Sequence, residues 1–273
     1  MRFSTLVPLL ALTLTGLDML VHATPNHILN WDCSDRMQEV CQNMCYGAYC
    51  RKVGTSLEWD KPSDSTKQAR SNAAGCGNNN RCSKAPYGST FECDEFPYKS
   101  TKNADHNVAV NRCVPKDQNR RQGALLKNFY YSQGRFSSVG LGGRPGHFQI
   151  SFSNVGHLQY CKSATGTPDC TNDGNEYDRN GKAHDKKKRD DADSNDGTQD
   201  PPNHYLLSDG RDIYVPGGAE IGDHVWTPRA RNASLFDEML DADEPDDSQG
   251  LEQYDYMLHN LYLENATIVA VIP

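Results

Sequence analysis

The chain has 273 residues, a formal net charge of −8 and ten cysteines. That total conceals a division: residues 1–189 carry 25 Lys and Arg against 17 Asp and Glu, whereas residues 190–273 carry 3 against 19. The division suits either polyanion binding by the first part or a solvated surface with an acidic solubilising tail, and no run beyond the N-terminal leader is long and apolar enough to span a bilayer.

Arg2 precedes an apolar run over 6–20, and Val21-His22-Ala23 offers a small-residue cleavage site. Thr13, Thr15, Gly16 and Asp18 interrupt the run, which argues for a cleaved signal peptide over 1–23 and against a membrane anchor. The mature chain is then secreted and extracellular, with no membrane association, and is expected to be a monomer. Ten cysteines fit that route: Cys33, Cys41, Cys45, Cys50, Cys76, Cys82, Cys93, Cys113, Cys161 and Cys170. An even number in an exported chain implies a disulfide framework. Cys41, Cys45 and Cys50 have zinc-like spacing, but no His stands nearby at ligand spacing. Connectivity does not follow from spacing; Cys93–Cys113 and Cys76–Cys82 are the first pairs expected.

Residues 32–46 read as a helix, capped by Ser34 or Asp35, with Met37, Val40, Cys41, Met44 and Cys45 on one apolar face. Residues 59–80 are polar and read as loop, with one helical turn near 67–73. Residues 89–93 have strand character, and 107–114 alternate loosely as a second strand that Pro115 ends. Asp117 is a plausible N-cap for a helix whose apolar face is Leu125, Leu126, Phe129 and Tyr130. Strand, loop, strand, helix is a ββα order, which would set Asp94 across a gap from Asn119. Further strands are expected at 148–153 and 158–160. Residues 171–203 have few large apolar residues and are read as a disordered linker, with the basic run 186–189 inside it. Strand-like pieces recur at 212–215, 224–226 and 266–272. The resulting division is signal 1–23, cysteine-rich domain 24–170, linker 171–203 and acidic C-terminal region 204–273. Asn232 and Asn265 stand in Asn-X-Ser/Thr glycosylation sequons.

Chemistry concentrates between residues 91 and 123. Asp94 and Glu95 follow a short strand; Asn119, Arg120, Arg121 and Gln122 open a helix. A carboxylate base, a neutral oxygen ligand and guanidinium groups are what metal-assisted phosphodiester hydrolysis needs in one pocket. The residues Cys93-Asp94-Glu95-Phe96-Pro97-Tyr98, then Val114-Pro115, then Asn119 with Gln122-Gly123, resemble the core motif of the NucA/NucB family of secreted deoxyribonucleases. The chain departs from that motif where a glycine pair is expected, carrying Asn103-Ala104-Asp105-His106 instead.

Cysteine count, element order and charge give a disulfide-stapled α+β fold with a ββα core and an acidic C-terminal extension, and the resemblance makes that core metal-nuclease-like. The resemblance implies Asp94 as general base and one divalent cation, Mg²⁺ or Mn²⁺, with Asn119 as ligand. Glu95 is a second ligand, a partner that orients Arg120 or Arg121, or a structural salt-bridge residue, since adjacent strand residues face opposite ways. Arg120 and Arg121 would grip the scissile phosphate, and Gln122 would support the water or the phosphate. The substrate implied is extracellular DNA, cut internally with little sequence preference, because backbone contacts carry no base information. Two other readings stay open: a non-catalytic cysteine-rich module binding a polyanion or host surface, and a ribonuclease on the same scaffold. A further expectation is an intramolecular contact in which the acidic tail competes with DNA for the basic part.

Overall fold

Every residue of His27–Asp32 is at least partly buried, because this strand, β1, is covered on both faces. Alternation sends Ile28 and Asn30 one way and Leu29 and Trp31 the other. A computed structural model describes residues 27–34, 36–53, 55–106, 108–131, 140–162, 167–183, 203–234, 236 and 261–273. The signal region 1–23 and the basic run 186–189 lie outside the described residues.

β1 pairs in parallel with β5 (Gly146–Ser153) and with β10 (His224–Ala230). The remaining strands are β2 (Ser56–Trp59), β8 (His204–Leu207), β9 (Asp212–Tyr214) and β11 (Leu261–Val271). Their order is β1-β10-β11-β8-β9-β5-β2, and the β1–β5 pairing closes the first six into a barrel. Ile28, Tyr205, Leu207, Ile213, Val215, Val225, Ala266 and Ile268 fill its interior as one apolar cluster. The described parts of 204–273 are thus four strands of the barrel, not an appended tail.

The second sheet has the order β3-β4-β6-β7: Phe91–Phe96, Val110–Pro115, Tyr177–Asp178 and Gly181–Lys182. Between the sheets lie α1 (Gln38–Cys45) and α3 (Lys116–Tyr131), and α3 touches β3 and β4 on one side and β10 and β11 on the other. One large core joins the layers, with Leu29, Trp31, Phe148 and Phe152 from the barrel, Val40, Met44, Leu125 and Phe129 from the helices, and Phe96, Val110 and Val114 from the small sheet.

Several local expectations need correction. The helix expected from 32 begins at Gln38, since Asp32 ends β1, and Met37 takes the N-cap position without a side-chain bond. After Cys45 it continues as a π-helical turn, Tyr46–Cys50. The polar stretch 59–80 contains a ten-residue helix, α2 (Asp64–Ala73), whose cap is Ser63 Oγ accepting from Thr66 N. Polar composition hid it, because only one side of α2 needs cover: Arg70 and Ser71 are its buried residues. Residues 158–160 form a turn, not a strand, and 171–183 form the β6–β7 hairpin against β4. Asx turns at Asp169, Asn172, Asp173 and Asp178 order that polar segment without a core.

All ten cysteines are paired: Cys33–Cys41, Cys45–Cys161, Cys50–Cys170, Cys76–Cys93 and Cys82–Cys113. The zinc reading of Cys41, Cys45 and Cys50 is excluded, and the expected pairs Cys93–Cys113 and Cys76–Cys82 are exchanged. Cys93 and Cys113 are directly opposite in the β3–β4 ladder, but the loop after α2 lies on that face and takes each sulfur separately. Peptide mapping of the non-reduced protein should recover Cys76 linked to Cys93 and Cys82 to Cys113; a Cys93–Cys113 peptide would contradict the fold.

Candidate functional site

The ladder between β3 and β4 sorts the site. Its register pairs Phe96 with Val110, Asp94 with Arg112 and Glu92 with Val114, and directly opposed residues share a face. This face meets the helices: Phe96 and Val110 enter the large core, Asp94 meets α1, and Glu92 meets the first turn of α3. The other face, with Cys93, Glu95, Asn111 and Cys113, meets α2 and its following loop through two disulfides and the Asn111 Nδ2 to Ala74 O bond.

Asp94 is 3% exposed. Its Oδ2 accepts a hydrogen bond of 2.9 Å from Asn43 Nδ2 of α1, and the same nitrogen reaches the Asp94 carbonyl at 3.0 Å. Burial pushes the Asp94 carboxyl well above the usual carboxylate range, the Asn43 bond works against the rise, and Glu95 and Glu176 add to it. Arg112 lies opposite, bonded to Glu39 of α1 at 2.7 Å and to Asp173 and Glu176 of the segment after Cys170 at 2.8 Å each. Burial works to lower the Arg112 pKa, but these carboxylates, Glu176 foremost, raise it overall. Glu176 is completely buried, and burial pushes its carboxyl up to about 8 despite Arg112.

Asn119 is brought to Glu92 instead of standing across a gap from Asp94: its Nδ2 donates to Glu92 Oε2 at 2.8 Å. Arg120 Nε lies 3.5 Å from the other Glu92 oxygen. Glu92 went unassigned in the sequence reading, yet strand alternation places it on the face of Asp94 and would have found it. Glu95 faces the other way, buried, with Lys99 Nζ 3.6 Å away, and burial raises its carboxyl despite that lysine. Glu95 and Asn119 therefore do not form one ligand set. Arg121 lies over the Phe236 ring at 4.9 Å, and burial lowers its pKa. Gln122 is 4% exposed, and its Nε2 has no hydrogen-bond partner among the described residues. Tyr130 stacks on Trp59 at 4.6 Å, a packing role.

Among the described residues β3 is an edge strand of its sheet, and an open cavity of about 280 Å³ lies beside it, lined by Glu92, Asn119, Lys99, Asn80 and Ser71 among others. Among the described residues no three His, Cys, Asp or Glu side chains form a group suited to a metal ion. A hard cation of the Mg²⁺ type needs less from the protein: one or two carboxylates, the remaining positions being water and substrate phosphate oxygens. The Glu92 carboxylate fits that modest demand, and the Asn119 oxygen can join it once the amide turns over, since its amino end now faces Glu92.

Carboxylate, amide and guanidinium groups gathered on one strand–helix face are the equipment of a phosphodiester hydrolase. Comparison with known proteins narrows the class: residues 44–137 match the family model described as Deoxyribonuclease NucA/NucB. Over that segment, and not over the chain as a whole, the protein is similar to the NucA/NucB deoxyribonuclease family. No curated protein and no solved structure matches the chain. Five disulfides and this family fit an extracellular location, and among the described residues no helix is long and apolar enough to cross a membrane.

The buried Glu176 has a consequence for stability. Its folded pKa of about 8 lies above the unfolded value of about 4.3, so the stability it contributes is complete below the unfolded value and is lost as pH rises through the folded one. Glu176→Gln removes that loss. Thermal unfolding should show the variant gaining on the parent protein between about pH 4.5 and pH 8 and holding its advantage above; a constant difference across that range would refute the assignment.

Proposed function

We propose that this protein is a secreted, divalent-metal-assisted endonuclease that hydrolyses DNA with little sequence preference. The observation that carries the reading is coincidence: the family match spans 44–137 and contains the whole of β3, β4 and α3, the unit that gathers Glu92, Asp94, Asn119 and Arg120 on one face. Asp94 is the general base. A carboxylate raised by burial is a better proton acceptor than a solvated one at neutral pH. Arg120, tethered through Glu92, is the arginine set to meet the scissile phosphate, since Arg121 is engaged with Phe236. Glu92 and Asn119 would hold one Mg²⁺ or Mn²⁺, which when bound supplies charge stabilisation at the phosphate and acidifies a ligated water. Nothing in this set reads a base edge or a 2′-hydroxyl, which supports low sequence preference and leaves RNA to be tested alongside DNA.

One observation favours the second reading, a non-catalytic polyanion-binding module: Asp94 is only 3% exposed and must become accessible before it can act. In-gel degradation of DNA and RNA separates the two. Catalysis predicts DNA clearance that EDTA abolishes and that Asp94→Asn reduces at least about 10²-fold, the usual scale for a positioned proton acceptor. DNA binding without clearance would establish the binding module. Asn119→Ala should lower activity in a way that added Mg²⁺ or Mn²⁺ partly restores; full activity in EDTA would end the metal assignment.

A further inference from the structure

Asn43 lies just ahead of the family-matched segment, on α1, and its side chain is completely buried. A buried amide in a helix is costly unless its polar atoms are used. Its amino nitrogen donates to one residue twice, to the carbonyl and to the carboxylate Oδ2 of Asp94, at 3.0 and 2.9 Å, while its Oδ1 has no partner among the described residues. Neither acceptor is itself a donor in the ionised state, so only the amino end of the amide can face them. The helix that carries Asn43 is itself pinned. Cys41 is tied to Cys33 and Cys45 to Cys161, and Val40 and Met44 are fully buried in the core. Asn43 is thus a rigid donor aimed at a strand that, among the described residues, lies at an edge of its sheet.

We propose that Asn43 is a positioning residue for the general base, clamping the Asp94 side chain and backbone together from α1. This rests on the reading of Asp94 as the base. The alternative role of Asn43, plain satisfaction of a buried carbonyl, would explain the 3.0 Å bond but not the 2.9 Å bond to the carboxylate. A carboxylate held by one oxygen keeps the other oriented for the proton it must take. Released, the side chain samples other rotamers, and misplacement on the scale of an ångström costs up to about 10²-fold in rate. The clamp does not touch substrate, so binding should survive its loss.

The test is a double-mutant cycle on the full chain with Asn43→Ala, Asn43→Ser and Asp94→Asn, measuring kcat, the Kd for DNA in EDTA, and thermal unfolding. The expected result is a fall in kcat of roughly 10- to 100-fold for Asn43→Ala, a smaller fall for Asn43→Ser, which keeps one donor, and an unchanged Kd for both. In the Asp94→Asn background, Asn43→Ala should lower the residual rate no further, because the two residues act as a unit. Multiplicative losses in both backgrounds would make Asn43 merely structural and overturn the proposal. So would a folded Asn43→Ser protein with the parent kcat, a comparison that stands even if Asn43→Ala does not fold. If Asp94→Asn itself keeps the parent rate, the failure lies in the base assignment and not in the clamp.

Discussion

The β3–β4 ladder is the constraint on which the site depends. Six opposed pairs fix which residues share a face, and the two faces do different work. On one, Cys93 and Cys113 bind covalently to the loop that follows α2, so the ladder cannot slip by a residue without breaking two disulfides. That locked register presents Glu92, Asp94 and Arg112 to the helices on the other face. A slip of one residue would turn Glu95 inward and Asp94 out. The disulfides therefore act on the chemistry through register, at a distance from it.

A second consequence is electrostatic. Arg112 is surrounded by Glu39, Asp173 and Glu176 and opposed by Asp94, four carboxyl groups to one guanidinium. In a buried setting such an excess of negative charge is resolved by proton uptake more readily than by ionisation. Glu176, raised to about 8, is the group that keeps its proton at neutral pH, and burial shifts Asp94 in the same direction. The same excess argues that Asp94 is strained as an ion at rest, and a site that tolerates this cost is more often functional than structural. Asn43 opposes the cost at one oxygen without cancelling it.

Much of this arrangement was legible in the sequence, for definable reasons. The strand expected at 89–93, the helix beginning near Asp117 and the strand pieces beyond 204 follow from periodicity and turn chemistry, and the actual elements overlap them with ends displaced by a few residues. Strand alternation separates Glu95 from Asp94, as the structure has it. What stayed hidden was non-local. β1 carries no strand signal of its own until β5 and β10 pair with its two edges. The segment 171–183 has few apolar residues and is held mainly by Asx turns, by Asn172 Nδ2 donating to Glu176 O within it, and by Asn175 Nδ2 donating to Cys113 O of β4. Glu92 lay in reach of the period-2 argument, whereas Asn43, which meets Asp94 from a separate element, carries no local signal at all.

The C-terminal region shows why net charge is a poor guide to architecture. Its acidity suggests a detached tail competing with DNA, yet its described residues complete the barrel, and deleting everything after 189 would remove β8, β9, β10 and β11 along with it. Part of the acidic excess is structural. Arg229 bridges Asp32 of β1 and Glu264 of β11 at 2.5 and 3.0 Å, and Arg211 joins Glu264 from β8–β9 at 3.3 Å. These pairs tie the ends of the chain into one sheet, where partial burial makes them worth more than exposed surface pairs. Glu264 is therefore a junction between strands that happens to be acidic.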